Sequence, residues 1–124
     1  MTGRSVLALA VVLALAACGS GGGKAGGAVV AVSRAGVQYA TLDGDDKLDF
    51  NPATVRAKPG KVSLTLRVTG GIPHNLEVGG VPGAAIPNVP GHESSSVSFT
   101  VGPGSYQLIC TYHPGMRGTL IVAP

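Results

Sequence analysis

The sequence predicts an all-β domain, a sandwich or barrel of short strands. Three observations carry that expectation. Apolar and polar residues alternate over Lys61 to Thr69, with Val62, Leu64, Leu66 and Val68 on one face and Ser63, Thr65, Arg67 and Thr69 on the other. Turn chemistry punctuates the chain, as in Lys58-Pro59-Gly60 and Gly102-Pro103-Gly104. No stretch has helical periodicity, and no segment repeats. The 124 residues suffice for one such domain and not for two.

Taken in order, the chain opens on an export signal, Met1 to Ala17. Arg4 supplies the positive start, and Val6 to Ala17 is an unbroken apolar run. That run falls short of the ~20 residues that span a bilayer, but it fits the core of a signal peptide. It ends in Leu15-Ala16-Ala17-Cys18, which resembles a bacterial lipobox, cleaved before the Cys and lipidated on the thiol. Lipidation of Cys18 leaves Cys110 as the sole thiol of the mature protein. Gly19 to Ala28 holds no apolar side chain large enough to pack and reads as a tether with a reach of ~16–19 Å. The expected organisation is a signal peptide over 1–17, a lipidated Cys and glycine-rich tether over 18–28, and a folded domain over 29–124.

Within the domain, Val29 to Val32 is the first strand candidate and Val37 to Leu42 a weaker one. Gly44-Asp45-Asp46 is a turn, with Asp43 and Asp49 making it acidic. It lacks the ligand offsets and closing Glu of a calcium loop. Leu48 to Phe50 and Thr54 to Ala57 are short extended pieces around Asn51-Pro52. Lys61 to Thr69 is a half-buried antiparallel strand. His74 to Val78 resumes extended structure after Gly70-Gly71-Ile72-Pro73. Gly79 to Gly91, with Pro82, Pro87, Pro90, is a loop, and His92 follows as an exposed residue. Ser94 to Val101 alternates again, with Val97, Phe99 and Val101 inward. Ser105 to Thr111 and Thr119 to Val122 complete the set.

Charge narrows the function. The net charge is +3, with nine Lys/Arg against six Asp/Glu. Arg4 and Lys24 precede the domain, so the domain itself carries seven against six and is close to neutral. Its basic residues are scattered, and Lys58 and Lys61 read as a solvated strand edge. A nucleic-acid partner, which needs clustered Lys/Arg, is excluded.

The chemistry gathers at Cys110-Thr-Tyr-His113-Pro-Gly-Met116. A thiol, an imidazole and a thioether recur at spacings of three. Soft sulfur donors with imidazole point to copper before other common metals. Tyr106, Leu108 and Cys110 share a strand face, so a buried Leu108 implies a buried Cys110. Pro114-Gly115 supplies the bend that lets His113 and Met116 converge on it. Pro114 also lacks an N–H that would compete for the sulfur. His74, 36 residues earlier, is the candidate for a second imidazole. Zinc is open for a Cys/His/His set, but it leaves the Met donor unexplained. A dinuclear copper centre needs a second Cys near Cys110, and there is none.

These residues resemble those of the cupredoxins, the small blue-copper electron carriers. The Cys-x2-His-x2-Met loop with Pro after the His is similar to the short ligand loop of the amicyanins. Plastocyanins and pseudoazurins use a longer gap before the Met. Pro73-His74-Asn75, Gly104-Ser105-Tyr106 and Arg117-Gly118 add to the match, which spans Leu48 to Val122. The resemblance implies a Greek-key β-sandwich of seven or eight strands. It implies one copper per chain, with His74, Cys110 and His113 equatorial and Met116 axial. Asn75 is implied to join the two ligand loops by hydrogen bonds.

The implied protein is a one-electron carrier and not an enzyme. It is expected to be a monomer, lipid-anchored in the periplasm or on the outer face of the cell membrane. Its expected partner is a cytochrome, oxidase or dehydrogenase docking around His113, on an apolar patch of Ile72, Pro73, Ile86, Pro87, Val89, Pro90 and Pro114. Two alternatives use overlapping residues. One is extracytoplasmic copper capture and delivery, with labile metal on the same donors. The other is a Cys-His-Arg transpeptidase on Cys110, His74 and Arg117, which leaves His113 and Met116 idle and has a short domain to work with.

Overall fold

The computed structural model describes residues 27–124, so the export signal, Cys18 and most of the tether lie outside the described residues. Eleven strands run through the described residues: β1 (Ala28–Val30), β2 (Val32–Arg34), β3 (Val37–Gly44), β4 (Phe50–Asn51), β5 (Thr54–Ala57), β6 (Gly60–Val68), β7 (His74–Val78), β8 (Ala85–Val89), β9 (Ser94–Val101), β10 (Gly104–Ile109) and β11 (Arg117–Val122). They form two sheets, in the orders β1-β5-β11-β10-β7-β8 and β2-β3-β6-β9, with β4 appended to β3. The expected all-β sandwich is what the chain adopts.

Eleven strands replace the expected seven or eight, for three local reasons. The apolar run Val29 to Val32 is not one strand: it breaks at Ala31, and the chain passes from one sheet to the other. Phe50–Asn51 pairs with the end of β3 as a two-residue strand. The segment expected to be a proline loop contains β8, whose Ile86 and Val89 are 1% exposed. Pro87 is tolerated there because β8 is an edge strand and needs no inward N–H at that position.

Strand β6 alternates as expected, with Val62, Leu64 and Leu66 fully buried. Its pairing is mixed, however. It runs antiparallel to β9 but parallel to β3, in register from Val37↔Lys61 to Gly44↔Val68. A period-two pattern reports which face is buried and is silent on strand direction. The opposing sheet contributes Val55, Leu76, Leu108 and Leu120, all fully buried, so the core lies between the two sheets. Each such side chain contributes about 1.5–3 kcal/mol.

One end of this sandwich collects the chemistry. Strand β3 ends there at Gly44, and β10 ends at Ile109, paired with Arg117 at the start of β11. The segment 110–116 is therefore the connection between two neighbouring antiparallel strands. Strand β7 pairs with β10 through Leu108↔Val78 and Ile109↔Glu77, which brings its first residue, His74, beyond the end of β10.

Candidate metal centre

The loop from Cys110 to Met116 is closed by its own backbone. The Cys110 N–H donates to the Met116 carbonyl at 3.1 Å, the His113 N–H to the Cys110 carbonyl at 3.4 Å, and the Met116 N–H to the His113 carbonyl at 2.9 Å. These nested turns are what spacings of three produce when Pro114-Gly115 makes the bend. Arg117 adds an Nε–H bond to the Pro114 carbonyl at 3.1 Å. As Leu108 is buried, so is Cys110, both at 0% exposure, and Met116 is also at 0%.

His74 arrives from β7, fully buried. Its Nε2–H donates to the Asp45 carbonyl at 2.9 Å. That bond assigns the proton to Nε2 and leaves the lone pair on Nδ1, which lies 3.9 Å from the Cys110 sulfur. Burial pushes the imidazole below its ordinary 6.5. The Asp45 carbonyl opposes this, and the neighbouring His113 adds to it. The folded state thus favours the neutral, metal-competent ring. A ring held this way lowers stability as pH falls below 6.5, because the unfolded chain takes up the proton first.

His74, Cys110 and His113 each offer a donor atom, and these atoms lie within 4.8 Å of one another. The two rings meet edge to face, with centroids 5.2 Å apart. Met116 closes the far wall with His74: a Cβ placed on Gly44 would sit 2.8 Å from His74 Cδ2 and 3.2 Å from Met116 Cε. The structure therefore brings all four candidate residues to one point.

Asn75 joins the two loops. Its Nδ2–H donates to Thr111 Oγ1 at 2.6 Å, its Oδ1 accepts from the Thr111 N–H at 2.8 Å, and its own backbone N–H points at the Cys110 sulfur at 3.5 Å. Asn75→Ala leaves the Thr111 N–H without its partner, so unfolding in denaturant should show a loss of about 1–2 kcal/mol.

Three supporting residues carried no signal in the sequence. Asp45 acts through its carbonyl, which every residue possesses. Gly44 matters because His74 and Met116 pack against its bare Cα. Asp46, read as part of an acidic turn, accepts hydrogen bonds from Ile72 N–H at 3.0 Å and Gly71 N–H at 3.3 Å, and so fixes the backbone leading into His74. Donation from Ile72, then from Gly71, lowers its carboxyl below the usual 3.8. Gly70 leaves room for that carboxylate, since a Cβ there would overlap it. A depressed carboxyl adds stability above its unfolded value and loses it as pH falls through the folded one. Asp46→Asn should therefore lower the melting temperature at pH 7, and the gap from the unsubstituted protein should close when melts are repeated below pH 3.8.

The apolar patch expected around His113 is smaller than the sequence suggested. Ile86 and Val89 are core residues, and Pro73, Pro90 and Pro114 are exposed. A cavity beside the loop is instead lined by Lys47, Leu48, Asp49, His113, Pro114 and Met116.

The donor set fits a metal on the structure's own terms. His113 Nε2 is buried and has no hydrogen-bond partner. An unpartnered buried nitrogen costs about 1–3 kcal/mol unless something takes up its lone pair. Two sulfurs and two imidazoles are a copper set.

Comparison with known proteins agrees. A family model for the cupredoxin-like domain matches residues 5–122. Amicyanin-alpha of Methylorubrum extorquens is 35% identical over 119 residues, covering 93% of this chain and 98% of that protein. Among solved structures, the reduced state of an amicyanin mutant is 28% identical with a TM-score of 0.55, covering 67% of this chain and 80% of that one. The metal-binding domain of a Cu(I)-exporting P-type ATPase of Streptococcus pneumoniae shares the fold at 16% identity, with a TM-score of 0.67 over 82% of this chain and all of that one. With its two-sheet fold, its clustered donors and these matches, the chain belongs to the cupredoxin-like family.

Proposed function

We propose that the chain is a mononuclear copper electron-transfer protein, with His74, Cys110 and His113 as close ligands and Met116 as the weaker axial one. The observation that carries this is the cluster itself: two imidazoles and one thiol within 4.8 Å, with one buried nitrogen unpartnered. Copper supplies a one-electron couple between Cu(I) and Cu(II). The chain's part is to hold the donors in place. The Asp45 carbonyl orients His74, the Asn75–Thr111 bonds lock the two loops together, and the Asn75 N–H stabilises negative charge on the sulfur. Donors fixed before the metal arrives need little rearrangement when its charge changes.

His113 is the only one of the four that is partly exposed, which makes it the point where an electron leaves. A redox protein partner docking over Pro114, Tyr112 and Leu48 would reach it, and Tyr112 and Leu48 are 45% and 37% exposed. Deep burial of the other three donors speaks for a retained metal and against delivery. An extracytoplasmic location follows from the export signal, and anchoring through lipid on Cys18 follows from the lipobox-like sequence.

The test is optical. Purified protein given Cu(II) should turn intensely blue through sulfur-to-copper charge transfer, and full copper loading without colour would sink the assignment. The axial role has its own test. Met116→Gln should lower the reduction potential, because an oxygen donor favours Cu(II). A voltammogram unchanged from that of the unsubstituted protein would remove Met116 from the ligand set.

A further inference from the structure

Charges scattered along the sequence are sorted by the fold. The six acids of the described residues all lie in the half that holds the donor cluster. Asp43 pairs with Arg67 on the last rungs of β3 and β6, and Asp45, Asp46 and Asp49 occupy the following turn. Glu77 stands opposite Ile109, and the Glu93 carbonyl accepts from the Val68 N–H. The opposite end carries Arg34, Arg56, Lys58 and Lys61, all exposed, and no acid. Strand register places them together. Arg34 is opposite Val37, Val37 is opposite Lys61, and the Gln38 side chain clasps the Lys58 backbone at 2.7 and 2.8 Å. Strand β3, from Val37 to Gly44, separates the two ends by about 23 Å at ~3.3 Å per residue.

The same end carries the two most exposed large apolar side chains among the described residues, Val30 at 67% and Val32 at 62%. Beside them Tyr39 is 38% exposed, and the Arg34 guanidinium lies 4.5 Å from its ring centroid. Val30, Val32, Arg34 and Tyr39 line one groove.

We propose that this basic, valine-bearing end docks on the headgroup layer of an anionic phospholipid leaflet, leaving the donor cluster facing away from it. Charge complementarity selects the occupant: four cations meet no acid of their own, while the opposite end carries all the acids. A headgroup layer accommodates valines at its acyl boundary and an Arg–Tyr pair at its polar level. The lipid-bearing Cys18 precedes the domain by only about ten residues of sequence, within the ~16–19 Å reach of such a tether. Each basic side chain at an anionic surface contributes roughly fivefold in binding, so Lys58→Gln with Lys61→Gln should weaken docking about 25-fold.

The chain contains no Trp, so one introduced Trp reports on one place. The full chain is bound to vesicles of phosphatidylcholine with phosphatidylserine, or of phosphatidylcholine alone. The lipid on Cys18 holds the processed chain to either, so the reporters read orientation. Val32→Trp, with Val30→Trp as a second reporter, should shift its emission to the blue on anionic vesicles only. Added salt should reverse the shift, and the double Gln substitution should abolish it. Tyr112→Trp should show no shift. An equal shift on neutral vesicles, no shift at either valine position, or a shift at Tyr112 overturns the proposal. So does a shift produced by a soluble nucleic acid but not by vesicles. Far-UV circular dichroism matching the unsubstituted chain certifies each variant.

Discussion

Cys110→Ser is expected to abolish the blue absorption while leaving the fold intact. Serine exchanges one sulfur for a smaller oxygen on the same carbon frame, and the site's backbone closure, from Cys110 N–H to the Met116 carbonyl, does not involve the side chain. The domain should therefore keep its circular dichroism and most of its stability. What disappears is the soft, charge-donating ligand. A hydroxyl is a hard donor, poorly suited to Cu(I), and gives no sulfur-to-copper transition. The result to look for is loss of the intense visible band at full Cu(II) occupancy, with copper content measured independently. Retention of the band would show that the colour, and the thiolate bond behind it, comes from elsewhere. Cys18 is the other cysteine of the chain, so Cys18→Ser serves as the paired control and should leave the band unchanged.

Gly44→Val has the next largest expected effect, and it acts on stability and site together. Even the first carbon of a side chain at Gly44 would lie 2.8 Å from the His74 ring and 3.2 Å from the Met116 methyl. Both neighbours are fully buried, and His74 is tied to the Asp45 carbonyl, so neither can move freely. Overpacking of this kind costs about 1–3 kcal/mol, and valine should reach the top of that range. Because the strain falls on two candidate ligands, the visible spectrum and the reduction potential should move as well. Gly71→Ala provides the comparison, since a Cβ there meets nothing within 4 Å and the residue keeps its N–H for Asp46. Equal stability of the two variants would mean that the pocket under His74 is softer than its packing indicates.

The features legible in the sequence were those with a local physical signature. The alternation over Lys61 to Thr69 revealed β6 and its buried face, and the soft donors at spacings of three revealed the loop. Asn75 was named through family resemblance, and its two bonds to Thr111 give that role a geometry. The features that stayed hidden are non-local. Whether β6 runs parallel or antiparallel to a neighbour depends on where other strands lie. Strand β8 looked like a loop because Pro87 forbids a central strand, and only the topology makes it an edge. Gly44 looked like turn punctuation, although its task is to be thin beneath two side chains that come from 30 and 72 residues further along. Lys58 and Lys61 looked like an isolated pair because Arg34 joins them only through register.

The parallel pairing of β11 with β5 bears on timing. Val55 stands opposite Leu120, so the last strand of the domain is laid between an early strand and β10. Until residues 117–122 are available, the six-stranded sheet is split into two fragments, β1-β5 and β10-β7-β8, with nothing to join them. Pairings this distant in sequence form slowly, on the millisecond-to-second scale. A chain that lacks its last strand thus keeps this sheet in two pieces. His74 and Cys110 can meet within the β10-β7-β8 fragment, but the loop that carries His113 and Met116 closes only when β11 pairs with β10, so the full donor set is assembled last.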